Sequence, residues 1–184
     1  FESVRADGEF PVFLRVPEWA ESWSVAINGE DKSTENILDR GFVELRRNWQ
    51  AGDQIRLSLP MEVRVNESHP LLEETRNHVA LTRGPIVYCL ESADLPDGTS
   101  IADVYIDPTD KFSFEKAEIA STEMGVLRGK LRVSKAPKWG SNTLYRKRGF
   151  PEFENLQTTL IPYFAWDNRK TSEMTVWLPL LPTH

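Results

Sequence analysis

The sequence predicts an all-β protein made of two consecutive antiparallel β-sandwich domains of jelly-roll type. Three observations carry this. Short apolar or alternating runs rich in Val, Ile, Phe, Tyr and Trp recur along the whole chain. Turn formers separate them at regular spacing, with 12 Pro and 10 Gly spread over 184 residues. Long helical periods are missing, and the one short stretch with helical character is Glu115–Ala120.

The elements follow in order. Phe10–Val16 reads as a strand stopped by Pro17, and Trp23–Ile27 alternates cleanly before Asn28-Gly29, the strongest short hairpin signal. Residues 33–39 are polar and read as loop. Gly41–Arg46 is the next strand, Trp49–Asp53 a turn, and Ile55–Leu59 an alternating half-buried strand. Met61, Val63 and Val65 carry the same period past Pro60. The first domain is therefore assigned to 1–65, a junction to the polar stretch 66–77, and the second domain to 78–184.

The second domain is organised around 78–91, HVALTRGPIVYCLE, two apolar strands joined through Arg83-Gly84-Pro85. Ile86–Leu90 is apolar throughout, as suits a strand covered on both faces. Residues 92–99 read as a surface loop rich in Asp, Pro and Gly. Val104–Ile106, Phe112–Phe114, Val126–Val133, Thr158–Tyr163 and Met174–Leu178 are further strands, with Pro162 expected at an edge or a bulge. Lys135–Phe153 has no clean period and reads as a long excursion.

Composition excludes several classes. A formal charge of −6 argues against a nucleic-acid or anionic-membrane surface. No apolar run approaches the roughly 18 residues needed to span a membrane. A compact chain of this size removes roughly 70% of its unfolded surface from water, so it needs no disulfide, and the single cysteine, Cys89, allows no internal one. The chain starts at Phe1 without a basic-plus-apolar leader and reads as a piece of something longer. The compartment is left undetermined.

A search for chemistry finds no catalytic residue. His69, His78 and His184 stand at no metal-ligand spacing, so no metal site and no cofactor are assigned to this chain. Cys89 lies inside an apolar strand and reads as a buried, inert thiol. Glu73-Glu74, Asp94/Asp97 and Glu152/Glu154 are carboxylate pairs of the kind glycosidases use, but each lies in a polar segment and reads as solvated charge. Asn66-Glu67-Ser68 fits the glycosylation pattern. Among the aromatics, Trp23 and Trp177 fall on strands and read as core. Trp139 and Trp166 fall on loops, the second beside Asn168 and Arg169. Loop aromatics beside polar groups suit sugar stacking or a domain interface, so Trp166, Asn168, Arg169 and Trp139 are the site candidates.

Several stretches in a fixed order carry a resemblance: Leu14–Ala20 (LRVPEWA), Ile27–Gly29 (ING), Arg47–Asp53 (RNWQAGD), Leu59–Met61 (LPM), Val79–Tyr88 (VALTRGPIVY), Ile161–Arg169 (IPYFAWDNR) and Met174–Pro179 (MTVWLP). Together they resemble the C-terminal part of the bacterial β-L-arabinofuranosidase-like enzymes of glycoside hydrolase family 127. The resemblance implies an upstream (α/α)6 barrel that carries the chemistry, with a cysteine nucleophile in a zinc site and a glutamate acid/base. It also implies that the present chain is the non-catalytic β-sandwich region packing on that barrel. None of the catalytic residues transfers to this sequence, since Cys89 lies in a sandwich strand. Earlier strands of the first sandwich precede this point in the resembling enzymes. The first domain is therefore expected to be incomplete at its start, with an open strand edge that invites a homodimer. Carbohydrate is the alternative partner, which would make the chain an ancillary carbohydrate-binding module, and a glycosidase in its own right is the remotest reading.

Overall fold

The computed structural model describes residues 1–5, 7–32, 38–137, 140–147 and 149–182. The chain divides into two compact units, 1–62 and 63–184. Among the described residues the named strands all pair antiparallel, a single bridge between Ile106 and Leu180 is parallel, and no α-helix occurs.

The first unit holds two three-stranded sheets. One is ordered β1 (Phe10–Arg15), β5 (Phe42–Arg47), β4 (Leu38–Asp39), and the other β3 (Glu30–Asp31), β2 (Ser24–Ile27), β6 (Ile55–Ser58). Period-2 alternation sends Val43 and Leu45 of β5 and Val25 and Ile27 of β2 into one shared core with Val16, Ala20 and Trp49. Two sheets around one core make a sandwich. Asn28-Gly29 is the β2–β3 turn, with φ of 52° and 87°. Two successive positive φ angles match the twist of the flanking strands, which is why Asn-Gly serves here. The end of the stretch read as loop, Leu38–Asp39, is a strand, because it pairs with Val43 and Phe42 of β5.

The second unit begins one strand earlier than the hydrophobic period suggested. β7 (Val63–Glu67) pairs along its whole length with β8 (His78–Arg83), from Val63 opposite Arg83 to Glu67 opposite Val79. Residues 63–65 thus lie with the second unit and not in a first domain running to 65. The division falls between Glu62 and Val63, upstream of the polar stretch 66–77. The period past Pro60 could not reveal this, since alternation marks a half-buried strand without naming its partner. The Asn66 amide donates to the Thr82 hydroxyl at 2.9 Å across this pair.

The remaining strands are β9 (Ile86–Glu91), β10 (Val104–Tyr105), β11 (Ser113–Ile119), β12 (Thr122–Ser134), β13 (Phe153–Pro162), β14 (Met174–Thr175) and β15 (Leu178–Pro179). They run β10-β12-β13-β9-β8-β15, with β7, β11 and β14 as side branches. The two ends of this path meet. Ile106 bridges Leu180, with its N–H donating to the Pro179 carbonyl at 2.9 Å and its carbonyl accepting from Leu181 N–H at 2.8 Å. The sheet therefore closes around an interior of Val79, Leu81, Tyr88, Leu90, Val104, Ile106, Leu127, Leu131, Leu160 and Leu178. The odd positions of β9 face the other way. Cys89 joins Ile119, Val126, Ile161 and Ala165 in a second, smaller cluster, which explains why Ile86–Leu90 is apolar on both faces.

Glu115–Ala120, the one stretch with helical character, is mostly strand. Tertiary pairing overrides the local propensity of Glu-Lys-Ala-Glu, since Ser113–Ile119 pairs residue by residue with Thr122–Arg128. The turn between them uses Ala120 and Ser121 at φ of 50° and 64°, conformations that side chains with a Cβ adopt reluctantly. Behind this hairpin, the Phe112 and Phe114 rings lie over the bare backbone of Gly129 and Gly125. A Cβ at either glycine would come within 2.2 Å of a ring carbon. The Arg83 guanidinium sits 3.7 Å from the centre of the Phe114 ring. Met174–Leu178, expected as one strand, is broken in two, because β14 pairs with β9 and β15 with β8 where those strands diverge.

Candidate functional site

The loop after β13 is shaped from its first residue. Pro162 closes the strand opposite Tyr88, a terminal position where its missing N–H costs no ladder bond. A 3₁₀ turn over Tyr163–Ala165 follows, and the small Ala165 is the residue it tucks into the outer cluster. The three large rings beside it stay outside: Tyr163 is 48%, Phe164 67% and Trp166 39% exposed. Tyr163 and Trp166 face each other with centroids 6.4 Å apart and planes tilted by 17°. Together these rings form an aromatic shelf.

The shelf is anchored by charge. Arg169 turns back into the protein and grips both Asp94 oxygens, at 2.8 and 2.7 Å, while also donating to the Glu91 carboxylate. Glu91 is fully buried at the end of β9. Its other oxygen accepts from the Asp167 N–H at 3.0 Å and the Ser172 hydroxyl at 3.1 Å. Burial by itself would raise Glu91, but Arg169, the Asp167 amide and Ser172 together outweigh it and hold the carboxyl below its ordinary value. Asp94 in turn, against the cost of burial and aided by Glu91, raises Arg169 above its own ordinary value. The strand, the 92–94 turn and the 166–173 loop are thus tied at one point, and Ser92 and Glu173 reinforce it through two further hydrogen bonds, of 2.9 and 3.0 Å.

Each sequence candidate now has a place. Trp166 is on the shelf, Asn168 caps its carbonyl through a 3.3 Å bond, and Arg169 lies beneath as an anchor, engaged with two carboxylates. Trp139 lies outside the described residues. Asp94 is bound to Arg169 and Glu154 to Lys135. Glu91, Tyr163 and Phe164 were not singled out by the sequence, although a glutamate closing the apolar run IVYCLE is the signal that could have exposed the first. The Cys89 thiol is buried and pushed up to about 12, by burial first and then by Glu91 and Asp94. At neutral pH it stays protonated, which suits neither a nucleophile nor a metal ligand. No cluster of three or more His, Cys, Asp or Glu side chains is placed to hold a metal among the described residues.

Two β units in tandem, the second closed around its core and carrying an anchored aromatic loop, define an accessory-type β architecture. Residues 3–61 match the glycoside hydrolase family 127 (β-L-arabinofuranosidase) middle domain, and 63–179 match the family's C-terminal domain. The chain belongs to glycoside hydrolase family 127 and comprises its middle and C-terminal domains. The non-reducing end β-L-arabinofuranosidase of Bifidobacterium longum subsp. longum is 30% identical over 180 residues, covering 89% of this chain and 25% of that protein. Among solved structures, one described as a glycoside hydrolase is 39% identical with a TM-score of 0.87, covering 96% of this chain and 28% of that one. The family 127 β-L-arabinofuranosidase Ara127N of Geobacillus stearothermophilus T6 is 34% identical with a TM-score of 0.83, covering 94% and 27%. The chain thus spans about a quarter of the relatives it matches.

Proposed function

We propose that this chain is the non-catalytic β region of a β-L-arabinofuranosidase-type glycoside hydrolase, and that the shelf of Tyr163, Phe164 and Trp166 docks on the catalytic helical domain. The observation that carries this is the anchoring. Large rings left in water are costly, and contiguous exposed aromatics commonly mark a protein contact. Here the buried Glu91 with the partly buried Asp94 and Arg169 ties down the loop that carries them, which lowers the entropy lost on docking. The partner is the remaining three quarters of the matched relatives, where zinc and the nucleophile are to be sought.

The test uses the full-length enzyme. The double variant Phe164→Ala/Trp166→Ala should lower the melting temperature of the catalytic domain by several degrees in scanning calorimetry while leaving KM for the arabinofuranoside unchanged. An unshifted catalytic transition would overturn the docking reading. The near-parallel Tyr163 and Trp166 rings also support a second reading, a sugar platform. A saturable arabino-oligosaccharide isotherm abolished by Trp166→Ala would establish that one instead.

A further inference from the structure

Away from the shelf, a cleft of about 890 Å³ opens between the closed sheet and the excursion that joins β12 to β13. We infer that this cleft is a binding site for a short neutral oligosaccharide, because fixed hydroxyls, a carboxylate, an ammonium and two aromatic rings line it.

The sheet side presents Ser100, Asp103, Tyr105 and Ser134, and the excursion presents Lys147 and Phe150. Each serine oxygen is pinned by a backbone amide two residues on, from Ala102 at 3.3 Å and from Ala136 at 3.1 Å. An oxygen held as an acceptor keeps its own hydrogen to donate, so both serines offer positioned donors. The Tyr105 ring is held edge-on against Phe153, with centroids 5.3 Å apart and planes at 78°. Phe150 also lines the cleft and is 62% exposed. Asp103 supplies acceptors, with no ion pair among the described residues, and Lys147 supplies donors. The base of the excursion is clamped where the Lys135 N–H donates to the Glu152 carbonyl at 2.8 Å.

A sugar satisfies such a set because each hydroxyl donates and accepts while the ring C–H faces lie flat on aromatic surfaces. A phosphate, sulfate or uronate ligand would meet Asp103 as a like charge but Lys147 and Arg146 as opposite ones, so an oligogalacturonide decides for or against the neutral sugar. The cleft also falls within the size of small-molecule sites, roughly 300–1,000 Å³. The inference rests on the glycosidase reading only for the choice of probes, and the cleft lies on other residues than the docking shelf.

Calorimetric titration of the chain with arabino-oligosaccharides, a neutral gluco-oligosaccharide of equal length and an oligogalacturonide tests it. A neutral oligosaccharide should give a saturable isotherm, weakened at least ten-fold by Asp103→Ala, by Phe150→Ala and by Lys147→Ala, and unchanged by Phe164→Ala. The last two cleft variants alter exposed side chains, so loss of binding in them is not loss of fold. Flat traces across the panel would overturn the inference. So would tighter binding of the oligogalacturonide, or binding lost in Phe164→Ala and kept in the cleft variants. The calorimetric shift of the full-length enzyme reads the docking shelf separately, and Lys147→Ala should leave that shift absent.

Discussion

In the first unit the buried apolar set is Val16, Ala20, Val25, Ile27, Val43, Leu45 and Trp49, drawn from two sheets that share no strand and, for Val16, Ala20 and Trp49, from the segments that follow their strands. Polar clasps sit at its turns. Asp53 accepts from the Asn28 amide at 2.8 Å and the Gln50 N–H at 2.9 Å, while the Asn28 side-chain oxygen accepts from Gln54 N–H at 2.8 Å. The second unit closes one sheet on itself, buries an interior of mostly aliphatic side chains, and adds an outer cluster with an ion triad built on the buried Glu91. A unit of about 60 residues buries only about 60% of its unfolded surface and is correspondingly marginal. The smaller core leans on one large ring and its turn clasps, whereas the larger core can bear the cost of one buried carboxylate, Glu91, with its partners at the surface.

The comparison breaks first at Trp49. Its ring is buried, its Nε1 donates to the Phe10 carbonyl at 3.0 Å, and the Arg47 guanidinium lies 5.4 Å from the ring centre. Trp49→Ala should remove about 3–5 kcal/mol, enough to unfold 1–62. Two-dimensional NMR should then lose the dispersed amides of 1–62 and keep those of β8, β9 and β12. Survival of the first set would show that the clasps, not the ring, hold that unit.

Arg169→Ala tests the second unit. Glu91 is fully buried while Asp94 and Arg169 are partly exposed, so removing Arg169 should cost at most about 3–5 kcal/mol, chiefly from leaving Glu91 uncompensated. Urea melts followed by Trp166 fluorescence should show that loss, whereas Arg169→Ala with Glu91→Gln should recover part of it. An unchanged urea midpoint in the single variant would mean that the triad is ornamental and the interior alone sets stability.

Acid should sharpen the contrast with smaller effects. Glu91 and Asp53 both titrate below their ordinary values of 4.5 and 3.8, Asp53 chiefly through the Asn28 amide and the Gln50 N–H. A depressed folded value means that the contribution is fully present above the unfolded value and is lost as pH falls through the folded one. Stability tied to Glu91 should therefore start to decline below pH 4.5 and that tied to Asp53 below pH 3.8. Arg169→Ala should abolish or reverse the first decline, since burial then raises the Glu91 carboxyl and protonation at falling pH relieves an uncompensated charge. Urea midpoints measured at intervals from pH 6 to 3 would check this, and coincident onsets would contradict it.

What could be read beforehand is what depends on neighbours in the chain. Asn28-Gly29 called for a hairpin, alternation in Val25–Ile27 and Val43–Leu45 for half-buried strands, and the apolar run of β9 for a strand covered on both faces. These follow from backbone sterics and period-2 geometry, which act within a few residues. Pro162 was expected at an edge or a bulge, yet its strand lies between β12 and β9, and the proline is accommodated as the last residue of β13.

Partner choice needed the folded chain. Val63–Glu67 could continue the strands before it or open the next unit, and only its pairing with β8 decided between them. Glu115–Ile119 carried a local helical preference that β12 overrode. Arg169 stands beside Trp166 in sequence and read as part of an exposed site, yet the fold carries it 78 positions in sequence back to Glu91. The sequence alone determined the β class, the turns and the family resemblance, because local sterics and side-chain period are written in consecutive residues. The closed sheet, the anchored shelf and the cleft were decided by tertiary structure, because burial and charge pairing depend on groups that only folding brings together.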